Sequence, residues 1–308
     1  MENQQQVQES NDETWTKLDF LELISVHDNK SRLKTYQYER GEKYKPHPPK
    51  AVIIYTHGLG AYLLKHSYIA KTFSDQGYDF VGYDSLGFGY SEGERGVINS
   101  FEDYSEDVRQ FTIKVSDYYN NLYLDLESPI PIINYGYSLG ARAALTAQRK
   151  HKLDCNANLF SAFVWQAPAF GRKVKDPEYL ELLDKLCETE PNKIVSQTKI
   201  SSIKPIDDPI SFRGPYTARS QQQYMNIPQY LRDFYKEVTE PVFVALASND
   251  SVVDNQDVLS TLEQFETSKD QIEIKFYESE HNILTKGQEI WRQVTIDEIQ
   301  FLSRILNY

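Results

Sequence analysis

Gly136-Tyr137-Ser138-Leu139-Gly140 is the segment of this chain in which chemistry and local geometry constrain each other most tightly. It follows the apolar run Ile130-Pro131-Ile132-Ile133-Asn134-Tyr135 and precedes a stretch rich in alanine at 141, 143, 144 and 147. A serine on a sharp strand-to-helix turn keeps its hydroxyl exposed, while side chains two residues to either side would collide. Gly136 and Gly140 occupy those two positions. Five residues with three of them fixed recur by chance, and a glycine-rich turn would account for the motif in isolation. The flanking strand and helix patterns supply the context that favours a nucleophile.

A serine hydroxyl needs a base at neutral pH, and the base needs an acid to orient it. On a parallel sheet with such a turn, the acid follows a later strand and the histidine follows the last one. Asp250 comes after Pro241-Val242-Phe243-Val244-Ala245-Leu246-Ala247, and His281 comes after Ile272-Glu273-Ile274-Lys275-Phe276-Tyr277. Both stand where strands deliver their C-terminal ends, the functional edge of an open parallel sheet. Asp254 and Asp257 compete for the acid. Asp250 is nearer the strand end, and Asp254 suits a cap before the helix that holds Val258, Leu259 and Leu262. His27, His47, His66 and His151 fall in loops or helices with no matching role.

An oxyanion would need N–H donors, each supplying about 3 kcal/mol of transition-state stabilisation. The amide of Leu139 is one candidate. The amide of Leu59, in the loop His57-Gly58-Leu59-Gly60, is the other. His57 is expected to brace that loop's backbone rather than act as a base. Scattered histidines with no paired Cys/His spacing give a metal little support. The glycines between Asp84 and Gly93 lack the spacing of a phosphate or dinucleotide loop and read as a structural turn.

Positioning these residues takes alternating short apolar runs and helices, as a parallel sheet with crossover helices requires. The runs are 51–55, 80–83, 130–134, 162–165, 242–247 and 272–277, and they read as buried strands. Helical patterns cover 64–73, 101–119, the stretch beginning at Ser138, and 289–306. Two earlier stretches, 20–26 and 33–40, suggest an opening antiparallel pair. The expected organisation is a disordered tail over 1–14, an α/β core over 15–170, a helical insertion over 171–238, and the rest of the core over 239–308. Within the insertion, Tyr179, Leu180, Leu182, Leu183 and Leu186 form an apolar stripe at helical spacing. Packing onto the core explains it, and lining a substrate channel as a lid is the second reading.

Bulk properties narrow the function classes. The chain has 308 residues, 40% of them apolar, which suits one large α/β domain with an insertion. A net charge of −12 argues against nucleic acid and anionic lipid surfaces, though not against a neutral lipid substrate. Cys155 and Cys187 are expected as reduced thiols. The polar N-terminal stretch resembles neither a signal nor a transit peptide, and no apolar run has the length of a membrane span. A soluble cytoplasmic protein is the expectation.

Taken together, the motifs resemble the monoacylglycerol lipase and lysophospholipase group of α/β-hydrolases, which also includes serine aminopeptidase-like members. The resemblance runs from about residue 33 to the C-terminus. It rests on the His57-Gly58-Leu59-Gly60 loop, Asp84 through Gly96, Ser100-Phe101-Glu102-Asp103-Tyr104, Gly136 to Gly140, and Gln166-Ala167-Pro168. It extends to Asp208-Pro209 and Gly214-Pro215-Tyr216-Thr217-Ala218-Arg219, which are similar to that family's lid segment. The resemblance implies an α/β-hydrolase fold with a helical lid, and hydrolysis of a small-molecule acyl ester without a cofactor. Ser138 would be the nucleophile, His281 the base and Asp250 its orienting acid, with the Leu59 and Leu139 amides binding the oxyanion. Contact with a membrane or micelle surface would come through the lid.

Three positions depart from the pattern. Ala61-Tyr62 stands where many relatives carry Glu-His, Phe88 replaces the histidine of Gly-His-Gly, and Leu139 stands where methionine is common. The first puts the alcohol part of the substrate in doubt. Two other functions compete with ester hydrolysis: a peptidase or amidase on the same fold, and a binding or assembly protein without turnover. The latter usually shows loss of a triad member, and none is lost here.

Overall fold

The short apolar runs form strands because β-branched and aromatic residues pack well on a pleated, two-sided surface. The structure, a computed structural model, describes residues 17–171, 173, 176–195, 208–285 and 289–308. The expected N-terminal tail and parts of the insertion lie outside the described residues. In chain order the strands are β1 (Lys17–Leu18), β2 (Thr35–Tyr38), β3 (Val52–Thr56), β4 (Asp79–Tyr83), β5 (Ile132–Tyr137), β6 (Ala162–Gln166), β7 (Ile194–Val195), β8 (Tyr216–Thr217), β9 (Val242–Ala247) and β10 (Ile272–Tyr277). The helices are α1 (Ser67–Ser74), α2 (Phe101–Leu122), α3 (Leu139–Cys155), α4 (Pro177–Thr189), α5 (Ala218–Met225), α6 (Gln229–Phe234), α7 (Asn255–Leu262) and α8 (Ile290–Ile305).

Eight strands form one sheet in the order β1-β2-β4-β3-β5-β6-β9-β10. All pairs from β4 through β10 are parallel, and β2 is antiparallel to both β1 and β4. The order reverses at β3, which has β4 on one side and β5 on the other, so a crevice opens beyond their C-terminal ends. Alternation along β3 sends Val52 and Ile54 into one core layer and Ile53 and Tyr55 into the other. The first layer packs under α2 and α3, the second under α1 and α8. Acidic Glu102 and Asp103 lie in the first turn of α2, where the helix dipole favours them, and Ser100 caps it by accepting from the Asp103 N–H.

Three sequence expectations need correction. The opening strand is Lys17–Leu18, paired with Gln37 and Tyr36, and the 20–26 stretch contributes an isolated bridge from Ile24 to Arg32. Asp19, at φ 51°, breaks the strand, and Phe20 and Leu23 turn into the core instead. The 272–277 run is an edge strand rather than a buried one: Ile274 and Phe276 are exposed, while Glu273 and Lys275 pair with Arg304 and Asp297 of α8. Between β6 and β9, where no strand was expected, β7 and β8 form a two-stranded antiparallel pair outside the main sheet. Both cysteines are free thiols. Among the described residues no helix is long and apolar enough to cross a membrane.

One buried acid gives the fold a pH dependence. Glu298 of α8 is enclosed, with Gln166 Nε2 donating to its Oε1 at 2.6 Å. Burial pushes its carboxyl up to about 8, from 4.5 when freely solvated. The folded state thus binds this proton more tightly than the unfolded state. Its contribution to stability is complete below 4.5 and is lost as pH rises through about 8. Glu298→Gln, neutral at every pH, should therefore gain stability over wild type between about pH 5 and pH 9, by a few kcal/mol at roughly 1.4 per pKa unit. Thermal melts across that range test it, and parallel profiles for the two proteins would refute it.

Candidate active site

The turn between β5 and α3 is built around Ser138, held at φ 52° and ψ −115°, where side chains are disfavoured. Its N–H donates to the Gln166 carbonyl at 2.9 Å, and its carbonyl accepts from Ala169 N at 3.0 Å and Ala141 N at 3.2 Å. The glycines make this crossing possible. A Cβ on Gly140 would stand 2.0 Å from the Thr56 carbonyl oxygen, and one on Gly136 would stand 2.7 Å from Ala141 Cα. On Gly58 it would lie 2.9 Å from the Tyr137 ring and 3.2 Å from Ser138 Cβ, so β3's loop presses against the turn.

The three candidate side chains meet. His281 Nε2 is 3.0 Å from Ser138 Oγ, and His281 Nδ1 is 2.7 Å from Asp250 Oδ2. Asp250 sits past the end of β9, and its Oδ1 accepts from the N–H groups of Val252 and Val253, each at 2.8 Å. One carboxylate oxygen is thereby committed to backbone and the other faces the imidazole. All three residues are buried. Asp254 instead caps α7, accepting from Gln256 N at 3.1 Å.

The remaining expected residues surround this chain of contacts. Among the described residues, neither the Leu59 nor the Leu139 N–H has a hydrogen-bond partner in the protein. Leu139 opens α3 directly after Ser138, while Leu59 lies in the loop after β3. His57 uses both ring nitrogens on backbone: Nδ1 donates to Gly58 O at 2.9 Å, and Nε2 accepts from Ser85 N at 2.9 Å. Those bonds define a neutral tautomer, and burial lowers its pKa further. This geometry suits bracing and leaves no nitrogen for proton transfer.

Two residues have contacts that were not read from the sequence. Tyr137, inside the glycine–serine motif, donates its hydroxyl to Asn282 Oδ1 at 2.6 Å and contacts the His281 carbonyl at 3.3 Å. It pins the loop that carries the imidazole. Asp84 is fully buried and accepts from Tyr36 OH, Leu63 N and Tyr90 N, at 2.8, 2.7 and 2.9 Å. It ties the glycine-rich turn to the loop after β3, and burial raises its pKa despite these bonds. The sequence places Tyr137 beside Ser138 but carries no sign of a partner 145 residues away.

The comparisons with known proteins address the same region. Residues 47–286 match the family described as "Serine aminopeptidase, S33". The chain belongs to that hydrolase family. It is 23% identical over 261 residues to a monoglyceride lipase homolog of Monkeypox virus, covering 82% of this chain and 88% of that protein. It is 26% identical over 243 residues to human monoglyceride lipase, covering 77% of each. A crystal structure of a soluble variant of monoglyceride lipase from Saccharomyces cerevisiae, with a substrate analog, superposes with a TM-score of 0.72. It covers 89% of this chain and 92% of that one at 17% identity. The fold of this family member is the α/β-hydrolase fold.

Proposed function

We propose that this family member is a carboxylic ester hydrolase that works through an acyl-enzyme on Ser138. The observation that carries the reading is the continuous contact from Ser138 Oγ through His281 to Asp250, at 3.0 and 2.7 Å. His281 Nε2 takes the hydroxyl proton as Oγ bonds to the ester carbonyl carbon, and the carbonyl π electrons move onto oxygen. The Leu59 and Leu139 amides bind that oxyanion. Collapse breaks the bond to the alcohol, which leaves with the proton from Nε2. Water then repeats the sequence, releasing the acid and restoring Ser138. Asp250 keeps Nδ1 protonated throughout and stabilises the imidazolium.

The substrate class we favour is a monoacylglycerol, a lysophospholipid or a similar single-chain acyl ester. Monoglyceride lipases among the similar proteins support it, as does the chain between β6 and β9. There, over 171–238, we place a cap whose helices close over the crevice and meet lipid surfaces. Nitrophenyl esters of rising chain length, assayed beside aminoacyl anilides, test the reading. Ester turnover that rises with chain length is expected, by about tenfold or more for four added methylenes at ~0.8 kcal/mol each if only part of that energy is used. Turnover confined to the anilides would show a peptidase instead.

A further inference from the structure

A part of the chain far from the triad in sequence touches the loop that presents Leu59. That loop is a tight turn, closed by Ala61 N donating to Gly58 O at 3.1 Å, with Gly60 at φ 75° in its third position. Gly60 is buried, so its carbonyl needs a partner, and Phe212 N supplies it at 2.8 Å. A Cβ on Gly60 would lie 2.0 Å from the Phe212 carbonyl oxygen, and one on Gly96 would lie 1.9 Å from the Phe212 ring. Residues 208–216 therefore run as a strap in a notch between the Leu59 turn and the glycine-rich turn. The strap thus lies in close contact with both walls of that notch.

Side-chain bonds fix the strap at two points. Asp208 Oδ1 accepts from Ile210 N at 3.1 Å and Ser211 N at 3.2 Å, and its Oδ2 accepts from Ser211 Oγ at 2.6 Å. The same carboxylate receives Tyr62 OH at 3.3 Å and lies 3.5 Å from Lys65 Nζ, which also donates to Ser211 Oγ at 2.9 Å. Tyr62 and Lys65 directly follow the Leu59 turn. On the other side, Arg95 bridges two carbonyls, donating to Gly89 O at 2.7 Å and Ile210 O at 2.6 Å.

Resting on the ester-hydrolase reading, we infer that Asp208 and Arg95 are positioning residues. Through the strap they hold the turn that aims the Leu59 N–H at the developing oxyanion. Such a donor works only within a few tenths of an ångström of its proper place, and a displacement near 1 Å costs on the order of 10²-fold in rate. The strap thereby couples the segment between β6 and β9 to the chemical step.

The test combines kinetics on p-nitrophenyl butyrate with amide hydrogen exchange of the 57–62 peptide. It uses wild type, Asp208→Ala, Asp208→Asn and Arg95→Ala. Asp208→Ala should lower kcat roughly tenfold while KM stays within about threefold, a part of the 10²–10³ that a whole donor supplies. Asp208→Asn, which keeps an oxygen for Ile210 and Ser211, should recover most of that loss. Arg95 is exposed, so Arg95→Ala keeps the fold, and it should lower kcat in the same direction. Both alanine variants should speed exchange in the 57–62 peptide. Unchanged kcat, or unchanged exchange, in both alanine variants of an active enzyme overturns the inference alone. A folded wild type without ester turnover overturns the proposed function and this inference with it.

Discussion

Ser138→Ala is expected to abolish ester turnover, with kcat falling on the order of 10⁵- to 10⁶-fold, as when the nucleophile of an interdependent triad is removed. A fluorophosphonate probe should label wild type and leave the variant unlabelled. The loss should come without unfolding, because the backbone bonds at position 138 go to Gln166, Ala141 and Ala169 and involve no hydroxyl. Ser138→Gly separates chemistry from stability more sharply. A non-glycine residue at φ 52° and ψ −115° stores strain of about 1–3 kcal/mol, which glycine relieves. The glycine variant should thus be as inactive as the alanine variant and melt at a higher temperature than wild type. Labelling that persists in either variant would move the nucleophile elsewhere. A glycine variant that melts lower would show that the turn is not strained.

The sequence was most informative where a parallel sheet converts chain order into position. Each strand in such a sheet ends on the same edge, so residues just past 137, 247 and 277 share a neighbourhood although up to 143 residues separate them. That is why Ser138, Asp250 and His281 stood out as a set. The glycines at 136 and 140 were legible for a related reason: backbone crossings exclude side chains whatever surrounds them. Contacts chosen by packing were not legible. Nothing local distinguishes Tyr137, which anchors the histidine loop, from a core tyrosine, and Asp84 looks like any turn residue until its three donors arrive from separate elements. The edge position of β10 was not legible, because its apolar Ile274 and Phe276 take the exposed face while its charged residues pair with α8. β1 was displaced because a positive-φ aspartate interrupts it, and aspartate adopts that conformation too occasionally for sequence to show where.

The local detail around Asp250 leads to the second large effect. Asp250→Asn should lower kcat by about 10⁴-fold while leaving the fold intact, because it traps the imidazole in the wrong tautomer. The two amides of Val252 and Val253 demand an oxygen at the Oδ1 position. An asparagine is therefore oriented with its carbonyl toward them and its NH2 group in the place of Oδ2, facing His281 Nδ1. The flipped orientation would set an NH2 against two backbone N–H groups and is disfavoured by the loss of both bonds. Facing a donor, Nδ1 must accept, so the ring proton moves to Nε2 and points at Ser138 Oγ, 3.0 Å away. A protonated Nε2 cannot take the hydroxyl proton, and attack on the ester stalls. Asp254→Asn is the matched control. It changes an N-cap carboxylate to an amide, which costs little stability and touches no part of the triad. Steady-state kinetics and melting temperatures of the two variants decide the matter. A loss below about tenfold in Asp250→Asn, or a loss of comparable size in Asp254→Asn, would mean that the orienting acid is not the one the backbone amides hold in place.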